Sequence, residues 1–411
     1  MGKRIRRIAV VSLVEEQGNR WNGFVEKIHT LVHVGAAHAP VDLYCCCPPV
    51  FEVAENVRIC LQSRARTWTW GAYVKTALWL IARRYDVVVI PTLFHPALPL
   101  LFAAGKLGGS TVIYRMGDTI KDTVARMPTV TLARTRLRVV ARLMPLLAGL
   151  AEWVVLRLSD HILTQSPSLV AQVARKAGPR ARVHLAYNYV PSHVDCPDEL
   201  DPPFARMLAS GATVFMYFGH AQPEIRGLEY AISLLGRARA DVGLVLLGPR
   251  QGGDYFERFV EAAGLGGRVI LLPAKPKPLA LAYLRRAHYC IIPPHPSYVL
   301  PAKILDAAAI GVPLMLPSTM TDAAELFGAQ SLMYAPDDGD SFVRALEKGC
   351  LERDSRREAA EEAARFLDLP TFADVARRVF REIRDGDSGI GESTGSDRTS
   401  VAGRGERTPG V

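Results

Sequence analysis

Between residues 5 and 370 the chain alternates short β-branched or aliphatic runs with longer stretches of helical period. In the first half, Ile8–Val14, Val41–Cys46, Asp86–Pro91, Thr111–Tyr114 and Asp160–Gln165 read as strands. Asn22–Val34, Gly71–Arg84, Ala97–Lys106 and Leu132–Leu158 read as the helices between them. Strands made almost wholly of Val, Ile and Leu and separated by helices predict a parallel sheet covered on both faces. From Pro191 to about residue 208, prolines and acidic residues replace the periodicity, as in an interdomain linker. The pattern then restarts with strands at Val214–Phe218, Gly243–Leu247, Val269–Leu272, Tyr289–Ile292 and Pro313–Leu316. Helices near Gly227–Arg239, Tyr255–Ala263, Leu279–Arg286, Lys303–Ile310 and Ser341–Gly349 alternate with them, followed by Glu352–Leu367.

The fold class expected is therefore α/β, with two doubly wound Rossmann-like domains facing a cleft. The first occupies 1–190, the linker 191–208 and the second domain 209–369. A helix over 370–384 and a Gly, Ser and charge-rich tail over 385–411, read as disordered, complete the chain. Open sheets of this kind bind ligands outside the carboxyl ends of their strands, so the cleft is where chemistry is expected.

Composition narrows the partners. At 411 residues, 49% hydrophobic and 22% charged, the chain has material for two cores and is not a disordered polymer. A net charge of +9 suits a diphosphate, a lipid phosphate or an acidic membrane surface, and nucleic acid too. The basic stretch lacks interleaved aromatics and no nucleic-acid module is visible, so no nucleic-acid partner is expected. Seven cysteines, three of them adjacent at 45–47, read as reduced thiols in a cytoplasmic protein. The apolar start is too short for a signal peptide, and Val139–Leu158 carries Arg142, Pro145, Glu152 and Arg157, which argues against a membrane span. Arg134, Arg138 and Arg142 instead form one helical stripe, while Leu132, Val139, Leu143, Leu146 and Leu150 form an apolar one. Such a helix, over 132–150, reads either as a peripheral contact with an anionic membrane or as a solvated face packed on its domain.

Two segments of the second half carry candidate chemistry. In FMYFGHAQPEIRGLEYAI (215–232), Gly219 ends a strand, and His220 and Arg226 flank the loop before a helix. A helix N-terminus with a cation beside it suits a diphosphate, although an ordinary turn with a surface arginine has the same sequence. In IIPPHPSYVLPAKILDAAAIGVPLMLPS (291–318), Lys303 and Asp306 are three apart on a helix that begins near Pro301. A carboxylate there can accept two ribose hydroxyls with a lysine toward phosphate; the plain alternative is a surface ion pair.

Together these segments, with LVLLGPR (244–250), VILLP (269–273) and AHYCIIPP (287–294), are similar to the donor domain of retaining glycosyltransferases with the GT-B fold (glycosyltransferase group 1, family 4-like). AEWVVLRLSDHILTQSPSLVAQV (151–173) and HLAYNYVP (184–191) resemble the end of that family's acceptor domain. The resemblance implies transfer of a sugar from a nucleotide-diphosphate sugar to a hydroxyl acceptor, including a lipid-linked one. It implies Asp306 as ribose ligand, Arg226 with His220 at the phosphates, and Gly18, Arg20 and Asn22 in a loop near phosphate or acceptor. Family members commonly carry two glutamates here; this chain has Tyr298 and Asp306 at those positions, which leaves a non-catalytic partner subunit as an alternative. A sugar-nucleotide epimerase shares the fold and is a further one. His95 and Asp118, each beyond a strand's carboxyl end, are candidates to contact acceptor or transferred sugar; His95 before a proline also reads as a turn cap. No cofactor is expected beyond the co-substrate. No metal-ligand cluster and no Asp-x-Asp is visible between 5 and 370, so transfer without a metal is the expectation.

Overall fold

The computed structural model describes residues 4–12, 23–49, 51–62, 68–91, 97–117, 119–120, 138–189, 199–224, 227–294 and 300–386. Its first sheet has seven parallel strands: β1 (Ile8–Val11), β2 (Val41–Cys45), β3 (Val57–Leu61), β4 (Val87–Pro91), β5 (Thr111–Met116), β6 (His161–Thr164) and β7 (Arg182–Leu185). They lie in the order β3-β2-β1-β4-β5-β6-β7, so the winding reverses between β1 and β4. Helices α1 (Gly23–Ala36), α2 (Trp70–Arg83), α3 (Leu98–Leu107), α4 (Arg138–Leu158) and α5 (Pro167–Lys176) make the crossovers. Residues of α2, α3, α4 and α5 pack on one face, through Tyr73, Phe102, Leu156 and Val173 against Tyr44, Val88, Ile90 and Tyr114. The strand side chains alternate, so Val10, Leu43 and Val89 point to the other face, where α1 lies.

After α6 (Pro202–Ala209) a second sheet repeats the scheme with β8 (Thr213–Phe218), β9 (Val242–Leu247), β10 (Val269–Leu272), β11 (Tyr289–Ile291), β12 (Leu314–Pro317) and β13 (Ser331–Tyr334). Its order, β10-β9-β8-β11-β12-β13, is also all parallel and reverses between β8 and β11. The helices are α7 (Leu228–Leu235), α8 (Tyr255–Ala262), α9 (Lys277–Arg286), α10 (Ala302–Ala309), α11 (Thr321–Phe327), α12 (Gly339–Leu351) and α13 (Arg353–Arg365). Two doubly wound α/β units are thus present, as the pattern predicts.

One detail departs from the pattern-based reading and two go beyond it. The last part of the segment read as linker is helical: Pro202 and Pro203 occupy the first turn of α6, where a missing N–H costs nothing, and Phe204 is buried against the second sheet. The long basic helix begins by Arg138 among the described residues, and Leu146 and Leu150 of its apolar stripe face solvent at 70% and 57% exposure. The final helix, expected over 370–384, is α14 (Phe372–Asp385). Its Phe372, Val375, Val379 and Phe380 are buried with Ile8, Val10 and Leu43 of the first sheet, so the chain returns to the half it began in. Of the tail read as disordered, residues 387–411 lie outside the described residues.

Candidate functional site

The carboxyl ends of β8 and β11 flank the winding reversal of the second sheet, and the side chains that follow them converge. After β8, Gly219 adopts φ +130°, and after β9, Gly248 adopts φ +147°, conformations that side chains rarely allow. The two turns nest: a Cβ on Gly248 would stand 2.2 Å from the Gly219 carbonyl oxygen. Lys303, in the first turn of α10, reaches under this turn, with Nζ 3.2 Å from where a Gly219 Cβ would be and 3.7 Å from the Tyr217 ring centroid. Tyr217 in turn donates its hydroxyl to the His220 carbonyl at 2.9 Å. The glycine turn, the lysine and the start of the His220 loop are therefore one assembly.

One turn further along α10, Asp306 is buried at 4% exposure. Its Oδ1 lies 3.2 Å from Nζ of Lys277, the first residue of α9, close enough for charge attraction but without a well-directed hydrogen bond. Lys277 also donates to both Glu26 carboxylate oxygens, at 3.2 and 3.1 Å, and Glu26 belongs to α1. The chain Glu26–Lys277–Asp306 thus joins the two halves across the cleft. Burial pushes the Asp306 carboxyl up to about 6, with Lys277 opposing and Glu26 adding to the rise. Burial lowers Lys277, but the carboxylates of Asp306 and Glu26 more than offset it and hold its ammonium above the ordinary range.

The first sheet contributes cations. Arg115, on β5, and Lys27, on α1, are both buried and both donate to Gln165 Oε1 just after β6, at 3.1 and 3.3 Å. Lys27 is near enough to act on the charge of Asp306. A second crossing lies beside it. The buried Asp322 of α11 accepts from the Ser168 hydroxyl at 2.6 Å and from the Ser168 amide at 3.2 Å, and so caps α5 from the opposite half.

Of the residues expected from sequence, Gly219, His220, Lys303 and Asp306 are brought together at the end of the second sheet. Arg226, Tyr298, His95, Asp118, Gly18, Arg20 and Asn22 lie outside the described residues. The Lys303–Asp306 ion pair offered as the plain alternative is not what forms: Lys303 turns to Tyr217 and Asp306 to Lys277. Lys277 and Glu26 were not signalled. The sequence cue for Lys277 is its place in PAKPKPLA, where Pro276 sits at the helix cap directly after β10. Lys27 has a cue as well, a lysine on the face of α1 that buries Ile28 and Leu31.

One grouping of residue types that can ligate a metal is present away from this site. Among the described residues, ligand atoms of His161, His184 and Glu382 lie within 4.8 Å of one another. They come from β6, β7 and α14, too far apart in sequence for any spacing rule to find. Arg182 and Arg378 stand 3.4 and 3.9 Å from Glu382 and oppose a cation there. The two rings already bond to each other, Nδ1 of His161 to Nε2 of His184 at 3.0 Å.

Residues 212–350 match the family described as Glycosyl transferases group 1. No curated protein matches the chain in sequence. Among solved structures, sucrose-phosphate synthase from Thermosynechococcus elongatus is similar, with TM-score 0.68 and 14% identity over 93% of this chain and 99% of that one. WaaG, a glycosyltransferase involved in lipopolysaccharide biosynthesis, gives 0.62 and 13% over 90% of this chain and 99% of its own. Anabaena HepE in complex with UDP-glucose gives 0.61 and 13% over 92% and 98%. At such identities the likeness is one of fold, here the GT-B architecture.

Proposed function

We propose that this chain, whose residues 212–350 match the Glycosyl transferases group 1 family within a GT-B fold, is a glycosyltransferase that moves a sugar from a nucleoside-diphosphate sugar to a hydroxyl acceptor carried on a lipid, with retention and without a metal ion. The observation that carries the reading is the buried Asp306 beside Lys277, one helical turn from Lys303 and the Gly219 turn. Asp306 as an anion accepts the two ribose hydroxyls. Lys303, the amides of the Gly219 turn and His220 meet the diphosphate, where donors aimed at developing negative charge stabilise the leaving group. HepE, similar in fold, is known with UDP-glucose bound, which supports a nucleoside-diphosphate sugar as the donor class. Arg115 and Lys27 give the facing half positive charge toward the same diphosphate. With donor and acceptor aligned, the departing diphosphate takes the proton of the incoming hydroxyl, so the protein acts chiefly by positioning.

The test is a panel of UDP, GDP, ADP, TDP and CDP read by thermal melting. A nucleotide that binds the folded state raises the midpoint by mass action. A rise selective for one base, lost in Asp306→Ala, is the expected result. A folded protein that no nucleotide stabilises would overturn the reading.

A further inference from the structure

On the first half, large apolar side chains face solvent in an order that core packing does not explain. Along α2, Tyr73, Ala77 and Leu80 are buried on the sheet, yet Trp70, Val74, Leu78 and Ile81 form a second stripe, exposed by 60, 45, 60 and 37%. On α4 the buried Ala148, Val155 and Leu156 are likewise opposed by Leu146, Leu147, Leu150 and Trp153, exposed by 49 to 70%. Helix α3 packs between these two and adds Leu107 at 75%. Three neighbouring helices therefore present one continuous apolar face, well beyond the isolated exposed leucines of ordinary surfaces.

The charge around that face is one-sided. Among the side chains described, α2, α3 and α4 carry Lys75, Arg83, Lys106 and Arg157, with Arg84 capping α2. Their one acidic residue, Glu152, is buried and spent on Lys176 at 3.0 Å. Lys106 is matched by Asp160 and Arg83 by Asp42 of β2, while Lys75, Arg84 and Arg157 have no ion pair among the described residues. Arg83 stacks on Trp79 at 3.7 Å and Arg157 lies 5.6 Å over Trp153, so two tryptophans are each flanked by a guanidinium. Apolar side chains bounded by tryptophan and arginine suit the boundary between acyl chains and anionic headgroups. A two-fold copy of the chain would instead set these unbalanced cations against one another.

We propose that the α2–α3–α4 face seats on an anionic lipid bilayer. This deepens the proposed function, on which it rests for the lipid-carried acceptor, and it widens the contact from the single basic helix to three helices. No helix among the described residues is long and apolar enough to cross a membrane, so the contact is a seat on one leaflet. Binding draws on apolar insertion and on attraction of the cations, and both must show in its dependence on salt and lipid.

The experiment is flotation of the full chain with vesicles of phosphatidylcholine alone or rich in phosphatidylglycerol, at low and high salt. The chain is expected to float with the anionic vesicles and to lose roughly tenfold in partitioning on neutral ones or in high salt. Trp70→Ser with Leu78→Ser, and separately Leu146→Ser with Leu150→Ser, are expected to cost a similar factor while the proteins remain folded, since all four side chains are exposed. Absence of binding to anionic vesicles overturns the proposal, as does binding that both double variants retain. A dimer in solution that the same variants dissociate also overturns it, assigning the face to a second copy. The nucleotide melting shift, measured on the same samples, reports on the donor reading alone, so either idea can fail without the other.

Discussion

The two halves share a winding order and an all-parallel sheet, yet they treat their outer surfaces in opposite ways. Among the described residues, every exposed large apolar side chain except Leu351 and Phe366 belongs to the first half. The second half spends its apolar residues on two cores that flank its sheet and concentrates its unusual features inside, in a nested glycine turn and a buried carboxylate. The same architecture thus holds an internal charged cluster in one half and an exposed apolar face in the other. Strand order fixes where a ligand site can be, while the helix faces are left open to other uses.

Acid should separate the halves most strongly. Burial pulls His161 down to about 4 and His184 down to about 3, aided by Arg182 on the first and by His161, Arg378 and Arg182 on the second. Both folded values lie below the ordinary 6.5, so the unfolded chain takes up protons first as pH falls. The stability these rings contribute is complete at neutral pH and lost progressively below about 6.5. Between pH 7 and 5 the pair should cost roughly 3 to 4 kcal/mol, visible in urea unfolding as early release of the first half and α14. His161→Gln with His184→Gln should flatten that dependence.

The nested turn gives the next largest effect. Gly248→Ala places a methyl 2.2 Å from the Gly219 oxygen in a strained backbone region, and should cost about 3 kcal/mol, read as a drop in melting of the second half. Asp306→Asn sharpens the contrast, because it removes a buried charge that the fold holds at a cost. Its melting temperature should match or exceed that of the parent, while nucleotide affinity falls by roughly 100-fold in calorimetry. Protonation has the same consequence: since the Asp306 value is raised to about 6, nucleotide binding should weaken as pH falls through 6. The smallest effect belongs to the outer face of the first half. Leu78→Ser, at a position 60% exposed, should change stability by no more than about 0.5 kcal/mol in urea unfolding.

The central strands of both sheets were legible because they are buried on both faces and read as unbroken aliphatic runs. The strands that escaped notice, β3, β7 and β13, are all sheet edges. β3, VRICL, is half in water, and RVHL of β7 has no fully buried position, so neither shows a run nor a clean alternation. Prolines misled at Pro202, where they open a helix and do not mark a loop. The convergence of Gly219, Lys303 and Asp306 was readable because they sit at ends of strongly patterned elements. Glu26 and the partners of His161 were hidden for the opposite reason: only tertiary folding brings α1 to α9 and α14 to β7.

The return of α14 to the first sheet bears on how the chain is made. Ile8, Val10 and Leu43 leave the ribosome more than 300 residues before Phe372, Val379 and Phe380, which cover them. At about 5–20 residues per second, the nascent first half waits on the order of 10 to 40 seconds with part of an apolar sheet face uncovered. During that interval it is a substrate for chaperones, and a ribosome that stalls within the second half releases a sheet that has never been closed.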